Sequence, residues 1–163
     1  GLADRALAIA PDEPEALLVR ARLRLLAGRP EDALRDAEHA VTLNPNRLAA
    51  LVLLGQVESR LGQTERAAAT AQRHHKAAER LARMDALTRE IDARPDDPEG
   101  RHRLGLVALE GGQIPLARSC FQAALAVRPG YPPARESLDA LDRAPPRDLT
   151  STAQAAASAG GRP

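Results

Sequence analysis

The stretch Asp97–Pro129, DPEGRHRLGLVALEGGQIPLARSCFQAALAVRP, decides the fold because its skeleton recurs upstream at a fixed interval. Leu104 and Gly105 sit midway along one apolar-periodic segment, Gly112 interrupts the chain, and Ala117, Phe121, Ala124 and Leu125 form the apolar stripe of a second segment. That pattern predicts a helix, a turn and a helix. Working outward, Pro11, Pro45, Pro95 and Pro129 are separated by 34, 50 and 34 residues, and Gly28, Gly62 and Gly112 by 34 and 50. Ala33, Ala67 and Ala117 keep the same intervals, so the middle one carries 16 additional residues. Even the entry loops agree, since Pro11–Ala16 reads PDEPEA and Pro95–Gly100 reads PDDPEG, each placing a proline at the first helical position.

The repeat resembles the tetratricopeptide repeat (TPR), and the likeness covers nearly all of Leu2 to Arg143. The residues that carry it are the small eighth position (Ala21, Gly55, Gly105) and the alanine at the twentieth (Ala33, Ala67, Ala117). At the twenty-fourth, often aromatic, stand Ala37, Ala71 and Phe121. At the twenty-seventh stand Ala40, His74 and Ala124, with His74 the departure. The resemblance implies an all-α solenoid of antiparallel helix pairs, in which leucine in place of Gly105 would overpack a helix crossing.

In chain order, Leu2 to Ala10 reads as the second helix of a truncated N-terminal repeat, and the glycine at the start reads as that of a fragment or processed form. Glu13 to Ala27 with Glu31 to Leu43 form the first whole repeat. Arg47 to Leu61 and a helix beginning after Thr64 form the second. Between Gly62 and Pro95 there is neither Gly nor Pro, and Glu79/Arg83, Asp85/Arg89 and Glu90/Arg94 pair acid before base at i and i+4. One continuous helix from Glu65 to about Ala93 is expected, with a break near His74 and His75 as the alternative. Its stripe of Ala77, Leu81, Met84, Thr88 and Ile91 calls for a partner: the first helix of the next repeat, another protein, or a second copy. Pro98 to Gly111 and Ile114 to Val127 form the third repeat, followed by a capping helix with Ala134, Leu138 and Leu141 on its apolar side. The repeat domain is thus placed at residues 1–143, and 144–163, rich in Ala, Ser, Gly and Pro, reads as a disordered tail.

Composition narrows the class of work. A formal net charge of +1 gives no electrostatic argument for nucleic acid. The longest apolar run, Leu48 to Gly55, is far short of the ~20 residues needed to span a bilayer, so no membrane insertion is expected and the reading is of a soluble, cytoplasmic protein. Basic residues are nearly all Arg, a hint of a GC-rich bacterial gene. The single Cys120 falls within the helical stripe and reads as a small buried hydrophobe. Adjacent His74 and His75 point about 100° apart on a helix with no ligand at metal spacing, so no metal or cofactor is expected. Arg101, His102 and Arg103, and the stripe Arg73, Lys76, Arg80 and Arg83, read as solvated faces. No nucleophile, base and oxyanion donor assemble, and no enzymatic activity is expected.

By the resemblance, the fifth, ninth and twelfth positions of each first helix face a concave groove that binds a peptide or protein: Leu18, Arg22 and Leu25; Val52, Gln56 and Ser59; His102, Leu106 and Leu109. TPR proteins that clamp chaperone C-termini use Lys and Asn at the fifth and ninth positions of the first repeat, where Leu18 and Arg22 stand here. The expectation is a non-enzymatic protein-interaction scaffold. The alternatives are the repeat segment of a larger enzyme or of a secretion or assembly component, and a self-associating array.

Overall fold

Loop chemistry dictates where the helices begin and end. The computed structural model describes residues 1–143 and places eight helices there: α1 (Leu2–Ile9), α2 (Pro14–Leu26), α3 (Pro30–Leu43), α4 (Leu48–Arg60), α5 (Thr64–Ala93), α6 (Pro98–Glu110), α7 (Ile114–Val127) and α8 (Pro132–Arg143). No strand occurs among the described residues. The three turns inside the helix pairs are built alike. Gly28, Gly62 and Gly112 each adopt φ +71°, a left-handed conformation that costs glycine nothing. The N–H of the next residue, Arg29, Gln63 or Gln113, then reaches back to the carbonyl of Arg24, Glu58 or Ala108 at 2.9 Å, closing a Schellman turn each time.

The turns between pairs use proline instead. Pro11, Pro45, Pro95 and Pro129 hold the second position of four-residue turns closed by Glu13 to Ala10, Arg47 to Asn44, Asp97 to Arg94 and Tyr131 to Arg128, at 3.0–3.1 Å. At the start of α6 the Asp97 carboxylate accepts from the Glu99 N–H at 3.0 Å, and Pro98 occupies the first turn, where its missing donor costs nothing. The recurring Pro and Gly of the sequence are therefore the two ends of one turn grammar.

The expected long helix is a single element of 30 residues, and no break occurs at His74. Within it Glu90 and Arg94 close at 2.6 Å, and Glu79 meets His75 at 3.1 Å. Packing divides the chain into two compact units, Gly1–Ala86 and a second beginning at Leu87. The 16 surplus residues lie on the element that both units draw on. The expected tail, 144–163, lies outside the described residues.

In the first unit Leu17, Ala21, Ala33, Ala37, Ala40, Ala50, Leu51, Leu53 and Val57 are all at most 1% exposed. Alanine at the crossings lets helix axes approach closely, and leucine fills what remains. This core also takes in Leu7 of α1 and Ala77 of α5. It holds one charged cluster as well. Asp36, 5% exposed at its side chain, receives Arg20 in a two-pronged contact (2.8 and 2.7 Å) and Arg24 at 2.7 Å. Arg20 thereby stays protonated more firmly than usual, the hydrogen bond to Asp36 outweighing its partial burial.

In the second unit Phe121 of α7 is fully buried among Ala108, Ala117, Ala124 and Ala134. Leu138, Leu141 and Tyr131 pack on the same cluster, so α8 covers the α6/α7 pair as a cap with the stripe read from the sequence. Gly105 is what admits the Phe121 ring: a Cβ there would lie 2.4 Å from Cε1 and 2.7 Å from Cδ1.

Of the stripe read along α5, Ala77 is buried in the first unit. Ile91 lies against the second unit's Gly100, where an added Cβ would meet its side chain at 3.0 Å. Leu81, between them, is 47% exposed and Thr88 is exposed.

Candidate functional site

In the first unit α2 and α4 carry two of the three expected sets of binding residues. On α2, Arg22 is exposed, Leu25 packs partly against the core, and Leu18 is only 8% exposed, in the same core cluster as Leu7. Leu18 is therefore core rather than contact surface. On α4, Val52, Gln56 and Ser59 are all exposed.

Val52 and Ser59 also line a cleft of about 260 Å³ together with Leu51 and Gly55 of the same helix and Ala67, Ala71 and His74 of α5. Gly55 and Ala71 stand 50 positions before Gly105 and Phe121, and both are small. A Cβ at Gly55 would meet nothing closer than Thr70 Cγ2 at 3.7 Å, whereas at Gly105 the aromatic ring is in the way. Ser59 Oγ is bonded back to the Gly55 carbonyl at 2.8 Å, which leaves the lining predominantly apolar.

On α4 the carboxylate of Glu58 is almost wholly buried and lies 3.5 Å from Arg66 Nε through Oε1, while Oε2 has no partner among the described residues. Arg66 also reaches Glu38 at 2.5 Å.

The second unit presents the third set. Leu106 is 41% exposed and Leu109 packs against the core. His102 is drawn inward instead. Its ring lies 5.4 Å from that of Phe121 and 5.9 Å from that of Tyr131, edge-on, and Nε2 is 3.0 Å from Ser137 Oγ of α8. Burial pushes its pKa below the usual histidine value despite the opposing influence of Glu99 and of the Pro133 backbone. The histidine thus pins the capping helix and is not free for a partner. Its neighbours Arg101 and Arg103, read as a solvated basic face, are engaged locally: Arg101 donates to the carbonyls of Pro95 (2.6 Å) and Asp97 (3.3 Å), and Arg103 pairs with Glu90.

Cys120 is buried, and burial pushes its thiol up, away from the thiolate that a nucleophile requires. Among the described residues no three His, Cys, Asp or Glu side chains converge as a metal site, and no helix is long and apolar enough to cross a membrane.

Sequence reasoning missed the α5 wall of the cleft. The signal was present in Ala71, small where Phe121 is large, and in His74, where the other repeats have alanine.

No family model matches the chain, and no curated protein matches it. Solved structures do. MamA is 22% identical over 81% of this chain and 68% of its own length, with a TM-score of 0.38. YrrB, described as a TPR protein with an unusual peptide-binding site, is 18% identical over 94% of this chain and 98% of its own, with a TM-score of 0.44. The APC/C hetero-tetramer Cut9-Hcn1 is 16% identical over 79% of this chain and 28% of its own, with a TM-score of 0.43. The chain's own geometry carries the fold assignment: with three glycine turns of one conformation and four proline turns of one pattern in the 34-residue register, it folds as TPR-like helix pairs in an all-α array.

Proposed function

We propose that the chain is a non-enzymatic protein-interaction scaffold that binds a peptide or protein partner on the first helices of its repeats. The observation that carries this reading is that the ninth position of every first helix, Arg22, Gln56 and Leu106, is exposed. Val52, at the fifth position of α4, and Leu106, at the ninth of α6, are large apolar side chains 44% and 41% exposed. Within the first unit the neighbouring helices α2 and α4 hold Arg22, Val52 and Gln56 open, a mixture of polar and apolar groups suited to a peptide ligand.

The test is a selection of binders from a random peptide library, followed by titration against the wild-type chain and an Arg22→Glu/Gln56→Glu/Leu106→Glu variant with unchanged helicity. Selected peptides are expected to bind the variant at least about tenfold more weakly. Failure of the library to yield any binder, or binders indifferent to changes on all three first helices, would refute the reading.

A further inference from the structure

The most exposed large apolar side chains of the described residues all lie on α1 and α2, which pack against each other. Leu2, Ile9, Val19, Leu23 and Leu26 are 51% to 88% exposed, and no other large apolar side chain among the described residues exceeds 47%. On α1 the exposed Leu2, Ala6 and Ile9 recur at i, i+4 and i+7, as do Val19, Leu23 and Leu26 on α2, so each helix turns one apolar stripe outward. A contiguous apolar surface of that kind marks an interaction site.

The next repeat shows what shape belongs there. Asp36, Ala40, Leu53 and Val57 stand 34 residues on from Leu2, Ala6, Val19 and Leu23, and all four are buried, at most 4% exposed. They lie on α3 and α4, and the element that packs against both of these helices is α2. A helix therefore fills the corresponding place one repeat later.

One difference defines the chemistry of the helix that fits on α1 and α2. Asp36 of α3 is met by Arg20 and Arg24 of α2, each at 2.7 Å. At the same place on α1 stands Leu2, which offers no charge. An arginine laid on Leu2 would lose water and gain no partner, so aliphatic residues fit where α2 has Arg20 and Arg24. Opposite Ala6 a small residue fits, as Ala21 and Ala40 are both fully buried in the α2/α3 pair. A second copy of this chain does not meet that description. Two copies meeting symmetrically through Leu23 would set Arg22 of one against Arg22 of the other.

We infer that the α1/α2 face is a docking groove for an amphipathic helix of a partner protein, one that carries a small residue opposite Ala6 and aliphatic residues opposite Leu2. Helix-in-groove recognition of this kind goes beyond the interaction reading above, since the exposed ninth positions do not enter the argument.

The test uses the full 163-residue chain and a synthetic peptide of the Pro11–Gly28 sequence that carries Arg20→Leu and Arg24→Leu. Val19→Glu, Leu23→Glu and Leu26→Gln in the peptide keep its outer side polar. A comparison peptide has the same outer changes and retains both arginines. Titration should shift the backbone amide resonances of Leu2, Ala6 and Leu23 of the chain, with the leucine peptide bound about tenfold or more tightly than the arginine peptide. Leu2→Asp in the chain should invert that order, because it restores the partner that Asp36 gives Arg20 and Arg24. Leu2 is 82% exposed, so this substitution leaves the fold intact. Leu23→Glu in the chain should weaken both peptides.

Absence of binding by the leucine peptide would overturn the inference, as would an order of preference unchanged in Leu2→Asp. A dimer of the chain alone that Leu23→Glu dissociates in sedimentation velocity would overturn it by giving the face to a second copy. A longer form of the polypeptide that does not bind the leucine peptide would overturn it by giving the face to a segment of its own. None of these outcomes bears on the ninth-position reading, which the library peptides and the Arg22, Gln56 and Leu106 variant decide.

Discussion

The two equivalent glycines, Gly55 and Gly105, should respond to the same substitution with opposite signs. Alanine at either position removes the conformational cost of a mid-helix glycine, a gain of about 0.5–1 kcal/mol. At Gly55 the new methyl would have only Thr70 Cγ2 within 4 Å, at an ordinary 3.7 Å, so that gain should appear undiminished. At Gly105 the methyl would sit 2.4 Å from Phe121 Cε1, against a normal carbon–carbon separation of about 3.5–4.0 Å, so the ring must retreat by about an ångström or more. It has nowhere to go, being fully buried with Ala108, Ala117, Ala124 and Ala134 around it. Overpacking of that kind costs about 1–3 kcal/mol, and its mid-range leaves a net loss of about 1 kcal/mol after the helix gain. Followed by far-ultraviolet circular dichroism in urea, Gly105→Ala should lower a transition midpoint by about 0.5–1 M, and Gly55→Ala should raise one by a smaller amount. A Gly105→Ala/Phe121→Leu double variant should recover part of the loss, since the two changes share one volume. Shifts of the same sign at both glycines would refute the reasoning, because the two sites would then not differ in the way the Phe121 ring requires.

Further expectations follow from individual contacts. His102 is held neutral by burial, so its folded pKa lies below the unfolded value near 6.5. Its contribution to stability is complete above that pH and is lost as pH falls through it, because the unfolded chain then takes up the proton first. Midpoints measured across this window should fall on acidification in wild type and fall less in His102→Gln; equal slopes would exclude the effect. Asp36→Ala should destabilise the first unit by about 3 kcal/mol, the low end for a broken buried pair because its arginines are about a quarter exposed; a loss below about 1 kcal/mol in chemical denaturation would mean that the cluster is replaceable. Leu81→Glu should change stability by less than about 0.5 kcal/mol, since the side chain is 47% exposed. If Leu81 joins two copies, that variant should also shift a sedimenting dimer to monomer; sedimentation velocity reads this directly.

What the sequence made legible was what turn chemistry makes obligatory. Pro45 and Gly62 sit where the backbone demands a fixed φ and a positive φ, so their spacing revealed the repeat without any knowledge of the packing. The cap was legible for a similar reason, as Ala134, Leu138 and Leu141 mark one side of a helix. Side chains that meet across helices left no comparable trace. Nothing in the spacing of Arg20, Arg24 and Asp36 announces that two guanidiniums converge on one carboxylate, because the pairing depends on how α2 crosses α3. His102 was placed on an open face by its position in the repeat, yet Phe121 and Tyr131, which draw it inward, come from two other stretches of chain. Leu18 was misplaced in the same way, by the α1 residue Leu7 that shares its core.

The scarcity of aromatic residues gives this chain a spectroscopic property. There is no tryptophan, and its one tyrosine, Tyr131, stands at the entrance to α8, edge-on to His102 and with the Arg128 guanidinium 5.9 Å from its ring centre. Ultraviolet-excited emission therefore comes from a single place in the second unit, whereas peptide-bond ellipticity sums every helix of both. Coincident curves from the two signals would mean that the halves melt as one cooperative body, and separated curves that each melts alone. The native sequence carries that comparison without a label or an engineered reporter.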